Sequence, residues 1–175
     1  MATAKKTAAK KAPAKKTPAR KAPAKKSAAP KDAIALLRAD HKVVSDLFEQ
    51  FEKTWSDARK AAIVAQICKE LTVHTEIEEE IFYPAVKAAL KDHELIPEAN
   101  VEHASVKDLI AQVEGKTPDG EMYDARVKVM GEFVKHHVKE EQNEMFPKAK
   151  KTKVDMIALG EQMAARKQEL MSARG

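Results

Sequence analysis

One pattern occurs twice in this 175-residue chain. In each copy a histidine is followed by a glutamate four residues later and by a proline ten residues later, with an aromatic residue just before the proline. The two copies consist of His74, Glu78 and Pro84, and of His137, Glu141 and Pro147. A spacing of four places two side chains on one face of an α-helix, one turn apart. The pattern therefore predicts two similar helices, each with an inward-facing polar pair and a kink or end near its proline.

A second motif precedes each copy of the first. Asp40-His41 and Glu102-His103 each pair an acidic residue with a histidine, and an Asp-Leu dipeptide follows in both cases. The two halves of the chain therefore look like two copies of one helical hairpin, offset by 62 to 63 residues. A pseudo-twofold arrangement of these hairpins would bring all four histidines to one level of the interior.

The spacing of the apolar residues predicts the helices that carry these motifs. Apolar stripes that step by three or four residues indicate helices at about 32–55, from after Ser56-Asp57 to Pro84, at 94–114, at 121–146 and at 153–171. Trp55, Val129 and Phe133 belong to these stripes and are expected to be buried. Short connections between long amphipathic helices predict an all-α protein, an up-down-up-down four-helix bundle with an extra C-terminal helix that packs on its outside.

Composition narrows the class of protein. Hydrophobic residues make up 43% of the chain and charged residues 34%, with only 5 glycines, which favours helices over sheets. The single cysteine, Cys68, excludes an internal disulfide and fits a packing role in a reducing compartment. No segment approaches the length of a membrane span, and the basic N-terminus lacks the apolar run of a secretory signal. We therefore expect a cytoplasmic protein.

The net charge of +5 is divided between two unlike segments. Residues 1–31 carry eleven basic side chains and no acidic one, whereas the rest of the chain holds 21 basic and 27 acidic side chains, a net charge of −6. The N-terminal segment repeats a five-residue Ala/Pro/Lys unit without large apolar groups, so it is expected to be a disordered tail, followed by a helical domain at 32–171. Its cations are Lys5, Lys6, Lys10, Lys11, Lys15, Lys16, Arg20, Lys21, Lys25, Lys26 and Lys31.

An extended polycation matches a polyanion better than a small ligand, so we expect the tail to bind nucleic acid through the phosphate backbone. No aromatic residue is interleaved, so base stacking is not expected. The alternatives are a solubilising arm, or an anchor to acidic proteins or to membrane surfaces. The tail is similar in composition to those of linker histone H1 and of bacterial H1-like nucleoid proteins. That resemblance implies binding to DNA.

Six polar residues fall on the inner faces of the predicted bundle. They are His41, His74, Glu78, His103, His137 and Glu141. A buried carboxylate without a partner is costly, and a network of His–Glu pairs is the structural alternative to a metal site. Six side chains are too many for one tetrahedral zinc ion but suit two metal ions bridged by carboxylates. Mixed imidazole and carboxylate ligands suit iron, with manganese or zinc as the alternatives.

At these six residues the sequence resembles the hemerythrin-like HHE cation-binding family. The resemblance covers residues 32 to about 171. It implies a four-helix bundle around a non-haem di-iron centre, with the histidines as terminal ligands and the glutamates as bridging ligands. Oxygen-carrying hemerythrins have a histidine where this chain has Lys107 and an aspartate where it has Gln142. This departure argues against reversible oxygen carriage and favours sensing, redox chemistry or iron handling.

Several neighbouring residues have competing interpretations. His136 adjoins His137, but it is in register with Val73 and is not expected to be a ligand. His93 is expected to be exposed. Glu79 and Glu140 adjoin the ligands, as outer partners of the centre or as solvated side chains, and a shifted register in which they are ligands is the alternative.

The sequence thus predicts a nucleoid-associated di-iron protein that responds to oxygen, nitric oxide or peroxide, or that handles iron beside DNA. The first alternative is a di-iron peroxidase or oxidase, for which the sequence shows no proton donor or substrate pocket. The second is a structural DNA-compacting protein whose bundle serves only as a bulky head.

Overall fold

The computed structural model describes Met1 and residues 32–90 and 93–174. Apart from Met1, the predicted N-terminal tail lies outside the described residues. The regular elements within them are all helical: α1 (Ala33–Glu52), α2 (Asp57–Ile77), a π-helical turn π1 (Glu78–Phe82), α3 (Tyr83–Lys87), α4 (Leu95–Val113), α5 (Glu121–Glu140), a second π-helical turn π2 (Glu141–Met145), α6 (Phe146–Ala149) and α7 (Met156–Ala173).

These elements form the predicted four-helix bundle. Helix α1 packs antiparallel to α2, and α4 packs antiparallel to α5 with its π2 continuation. The two hairpins meet along α1 and α5 and along α2 and α4. Asp32 caps α1 as expected, since its carboxylate accepts a hydrogen bond from the Ala35 amide at 2.8 Å. Gly115, whose φ of 65° suits a residue without a side chain, follows the end of α4. The all-α fold class is therefore confirmed.

Helix α7 is the extra C-terminal helix, and it covers one side of the bundle only. It packs against α1 and α2, where Leu159, Met163 and Leu170 are buried. Its polar face forms an ion pair with the bundle, in which the Arg166 guanidinium donates to both carboxylate oxygens of Glu80 at 2.7 and 3.1 Å. The α4–α5 hairpin has no such cover among the described residues.

The chain remains helical past both prolines of the repeated motif, although each proline was expected to kink or end its helix. The amide of Tyr83 bonds to the carbonyl of Glu78, and the amide of Phe146 bonds to that of Glu141, a spacing of five residues in both cases. A proline removes one amide donor and its ring crowds the preceding turn, so a wider turn relieves the clash and preserves the helix direction. Both wide turns begin at the glutamates of the repeated motif.

Two apolar clusters fill the bundle, one on each side of the six polar residues. The first cluster includes Ile34, Leu37, Ile77, Phe82, Phe146 and Met163, and the second includes Val44, Phe51, Ile67, Cys68, Val106 and Met130. Cys68 is fully buried, and burial raises the pKa of its thiol to about 12. This thiol packs in the core and stays protonated.

Three residues that were expected to be buried are exposed. Helix α1 ends at Glu52, before Trp55, whose side chain is 94% exposed. In α5 the buried face runs through Tyr123, Val127 and Met130, which turns Val129 and Phe133 toward solvent. The stripe predicted for α5 was therefore wrong at Val129 and Phe133, whereas His137, Glu141 and Met145 are buried as predicted.

Candidate metal centre

The six predicted ligands meet in one buried layer between the two apolar clusters. Each side chain is at most 7% exposed, and the carboxylates of Glu78 and Glu141 are 0% and 1% exposed. Helices α1, α2, α4 and α5 supply one histidine each, and the two glutamates come from the first residues of π1 and π2. The local reason is helix period, since each glutamate lies one turn beyond a histidine on the same face.

The inner nitrogens of the histidines point at one another in two pairs. Nε2 of His41 lies 3.1 Å from Nε2 of His74, and Nε2 of His103 lies 3.3 Å from Nε2 of His137. Two ligand atoms bonded to one metal ion at about 2.1 Å are themselves about 3.0–3.4 Å apart. The spacing within each pair therefore fits two nitrogens that share an ion.

The glutamates connect these pairs. Oε2 of Glu78 lies 3.2 Å from Nε2 of His74 and 3.4 Å from Nε2 of His103, and so it reaches both pairs. Oε2 of Glu141 lies 3.2 Å from His41 and 3.6 Å from His137. Two overlapping sets of ligand atoms result, one of His41, His74, Glu78 and Glu141, and one of Glu78, His103 and His137.

The ligand atoms of the buried layer are suited to bind metal ions. Oε1 of Glu78 and Oε2 of Glu141 are fully buried and accept no hydrogen bond from the protein. An ionised oxygen in that position is costly unless a cation or a proton compensates it. Imidazole nitrogens and carboxylate oxygens are ligands of iron, manganese and zinc.

Three of the four histidines are also held by a polar partner on their outer side. Nδ1 of His103 contacts Glu79 at 3.0 Å, and Nδ1 of His137 contacts Glu102 at 2.8 Å. The amide of Gln142 meets Nδ1 of His41 at 3.2 Å. Such partners fix the ring orientation and keep the inner nitrogen available to a metal.

The fourth histidine is held more loosely. Nδ1 of His74 lies 3.7 Å from Oδ2 of Asp40, which is too far for a hydrogen bond. Asp40 itself is anchored by α7, since Nζ of Lys167 lies 2.6 Å from its Oδ1. Burial opposes ionisation of Asp40, but His74 and Lys167 together hold its pKa below the usual value.

Burial shifts the titration of the centre. It lowers the pKa of His74 to about 4 and, with the nearby charge of His137, the pKa of His103 to about 2. Burial and the charge of Glu141 raise the pKa of Glu78 well above its usual value. Burial opposes ionisation of Glu141 as well, but His41 and His137 lower its pKa to about 2. In the absence of a cation, one carboxylate is therefore protonated and the other ionised.

Tyr83 is a residue of the centre that the sequence interpretation missed. It was assigned only to the aromatic-proline ending, yet its hydroxyl donates to Oε1 of Glu141 at 3.1 Å and lies 3.3 Å from Nε2 of His103. The signal was available, because Tyr83 follows Glu78 by five residues and a π turn brings that spacing to one face.

The structure shows where the four residues with competing interpretations lie. Glu79 is a partner of His103, and Nζ of Lys107 contacts both carboxylate oxygens of Glu79 at 2.7 Å. His136 and Glu140 lie outside the layer, on the opposite side of His137 from the centre, and His93 is exposed. The buried layer therefore contains the six residues of the predicted register, with His136, Glu79 and Glu140 outside it.

The fold and the buried His–Glu layer define a helical-bundle protein with a candidate metal centre. The sequence model of the hemerythrin HHE cation binding domain matches residues 32–149, more than half of the chain. The protein therefore belongs to the hemerythrin HHE cation-binding domain family. Within the described residues, no helix combines the length and the apolar character that a membrane crossing requires.

Related proteins support this membership. A crystal structure of a hemerythrin HHE cation binding domain-containing protein from Mycobacterium kansasii superposes with a TM-score of 0.69 at 27% identity, covering 81% of this chain and 88% of that one. An uncharacterised protein of Mycobacterium tuberculosis is 26% identical over 79% of this chain and 87% of its own length. A protein named DNA nickase from Nostoc is 29% identical over 63% of this chain, and the match spans only 31% of the nickase.

Proposed function

We propose that the protein is a non-haem di-iron protein that responds to oxygen, nitric oxide or peroxide, or that handles iron, and that its basic tail holds it near DNA. One observation carries the first part. The inner nitrogens of four histidines converge on two buried carboxylates, and two carboxylate oxygens there accept no hydrogen bond. Two cations would satisfy all of these donors together.

The donor set suits two neighbouring metal ions, for which we propose iron. Two overlapping groups share Glu78, as expected for neighbouring ions linked by a carboxylate. The nitrogen-rich set suits iron, with manganese and zinc as competitors. When bound, iron would supply one-electron chemistry and affinity for oxygen-like ligands. The protein's own contribution is to orient the imidazoles through Glu79, Glu102 and Gln142 and to exclude water from the layer.

The space beside the centre suits a very small ligand. A small cavity of about 20 Å³ borders all four histidines, and its remaining walls are mostly the apolar side chains of Val44, Leu71, Val106, Val134 and Val138. A volume of about 10–15 Å³ is enough for one water-sized molecule. Oxygen, nitric oxide or peroxide would fit this cavity.

The proposed association with DNA rests on charge. The tail of residues 1–31 has a net charge of +11, and the remainder of the chain has −6. An acidic bundle is repelled by phosphate, so the attraction would reside in the tail. The Nostoc relative is named DNA nickase, a name that refers to DNA as a substrate. This chain matches under a third of that protein. A location at the nucleoid would follow from the tail.

Metal analysis together with an absorption spectrum of freshly purified protein tests the di-iron proposal. We expect about two irons per chain and near-ultraviolet absorption typical of bridged ferric ions. His74→Ala and Glu141→Ala should each lose most of the metal, whereas His93→Ala, which changes an exposed histidine, should lose none. One tightly bound zinc per chain, unaffected by Glu78→Ala, would contradict the proposal.

A di-iron peroxidase or oxidase is the second candidate, and the structure adds an observation in its favour. The Tyr83 hydroxyl lies inside the centre and donates a hydrogen bond to Glu141, so an O–H group stands beside the proposed metal ligands. Consumption of peroxide that depends on Tyr83 would support this candidate. The structural alternative, a DNA-compacting protein, predicts that removal of the metal leaves compaction unchanged.

A further inference from the structure

Helix α5 carries a second His-x-x-x-Glu pair, one residue before the pair that faces the centre. His137 and Glu141 point inward, whereas His136 and Glu140 face the surface, with Nε2 of His136 at 3.2 Å from Oε1 of Glu140. The His136 side chain is 59% exposed. This outer pair has the same spacing and the same chemistry as the inner ligand pairs, but water can reach it.

The carboxylate of Glu102, from α4, lies between the two pairs. Its Oε2 accepts from Nδ1 of His137 at 2.8 Å, and its Oε1 lies 3.5 Å from Nε2 of His136. One donor atom from each of Glu102, His136 and Glu140 lies within 4.8 Å of the others. Two carboxylates and an imidazole therefore converge at the surface and contact the inner centre through one shared side chain.

The other half of the bundle shows what this carboxylate position attracts. Asp40 lies beside His74 as Glu102 lies beside His137. The Asp40 oxygen that faces away from His74, Oδ1, contacts the ammonium group of Lys167. The protein thus provides its own cation there.

The two halves also differ at the positions of His136 and Glu140. Their counterparts in the first half, Val73 and Ile77, are fully buried in the cluster that α7 completes. Helix α7 does not cover the second half of the bundle. Within the described residues, Glu102 and Glu140 form ion pairs with histidines alone. The second half therefore has Glu102 where the first has Asp40, and Glu140 in addition, but no lysine in the described part of the chain that pairs with either.

We propose that Glu102, His136 and Glu140 form a surface site for an exchangeable divalent transition-metal ion, and that this site passes ions to the inner centre. One imidazole and two carboxylates leave positions for water, as suits Mn²⁺, Fe²⁺ or Zn²⁺ held weakly. The binding step stands on the geometry of these three residues. The transfer step rests on the proposed function, because it requires the inner centre to hold metal.

Titration of the iron-loaded protein with Mn²⁺, followed by the electron paramagnetic resonance of free Mn²⁺, tests the binding step. We expect one further ion per chain. His136→Ala and Glu140→Gln should each weaken its binding by at least about tenfold, because even outer partners of a metal change affinity by about 10- to 100-fold. The matched control is His93→Ala, which removes another exposed histidine and should leave binding unchanged. Binding that is equal in all four proteins would overturn the site.

The transfer step is measured by adding Fe²⁺ to metal-depleted protein and following the growth of the inner-centre absorption. His136→Ala should slow loading but reach the same final iron content. Equal loading rates would overturn transfer while the di-iron proposal stands. If the inner layer holds no metal at all but Mn²⁺ binding still depends on His136, the proposed function fails and the surface site survives.

Discussion

The hydroxyl of Tyr83 lies 3.1 Å from Oε1 of Glu141, so the two halves of the repeated hairpin are joined at the centre itself. The Tyr83 hydroxyl oxygen also lies 3.4 Å from Oε2 of Glu78 and 3.3 Å from Nε2 of His103. Burial and the charges of the two glutamates raise the pKa of Tyr83 well above its usual value, so in the metal-free protein the phenol keeps its proton and donates a hydrogen bond to Glu141. One phenol thus contacts members of both proposed ligand groups.

Replacement of this hydroxyl tests its role. Tyr83→Phe keeps the ring but leaves Glu141 without its donor, which should destabilise the metal-free protein by about 1–3 kcal/mol in urea denaturation. We expect iron content to persist and the absorption spectrum to change, since the hydroxyl lies among the ligands. A spectrum identical to that of the wild type would show that Tyr83 has only a packing role.

The contact between Lys167 and Asp40 predicts that the C-terminal helix stabilises the centre. Lys167→Met would leave the buried Asp40 carboxylate without its cation and should cost about 1–3 kcal/mol of the free energy of unfolding. Lys42→Met is the control, because it removes a lysine from a pair with Asp46 that is exposed on both sides. Denaturation midpoints that shift equally in the two variants would argue against a special role for Lys167.

Stability should fall with acidification in a defined window. The pKa of His74 is about 4 in the folded protein, against about 6.5 in an unfolded chain. The unfolded state therefore takes up a proton first, and stability that is complete above about pH 6.5 is lost as the pH falls toward 4. His103 acts in the same direction. His137 acts in the opposite one, because Glu102 and Glu141 outweigh its burial and raise its pKa.

Metal should be released over the same window, since ligand nitrogens must be unprotonated. Urea denaturation between pH 7.5 and 4.5, with and without a chelator, measures both effects. We expect the chelated protein to be less stable at neutral pH and the difference to shrink on acidification. Equal urea midpoints with and without chelator at neutral pH would mean that the site adds nothing to folding.

Affinity for DNA should depend on residues 1–31 and on salt. If about half of the eleven cations engage phosphate, log K should fall against log salt with a slope of about −5, from about −0.9 per contact. Deletion of residues 2–31 should abolish binding and leave the iron spectrum unchanged, because every proposed ligand lies at or beyond His41. Fluorescence anisotropy with duplexes of different sequence would measure affinity and show little preference between them. Tight binding by the truncated bundle at moderate salt would contradict this division.

Much of the fold could be predicted from the sequence, because helix period is a local property. The buried stripe of α4 was predicted correctly from Ala99 to Val113, and so was the register that brings the six polar residues into one layer. The stripe of α5 was wrong at Val129 and Phe133, because two neighbouring faces of that helix both carry apolar residues. Spacing alone does not say which of these faces meets α1 and α4.

The outer partners of the centre were beyond local patterns. Asp40 and Lys167 are 127 positions apart and meet only because α7 folds back over α1 and α2, and Glu102 reaches His136 only across the α4–α5 contact. Local sequence is sufficient for the type and spacing of the inner ligands, since one helical turn separates histidine from glutamate in each pair. Packing between distant helices decides which carboxylate receives a lysine and which remains open at the surface, because no periodic signal within one helix encodes the side chains of another.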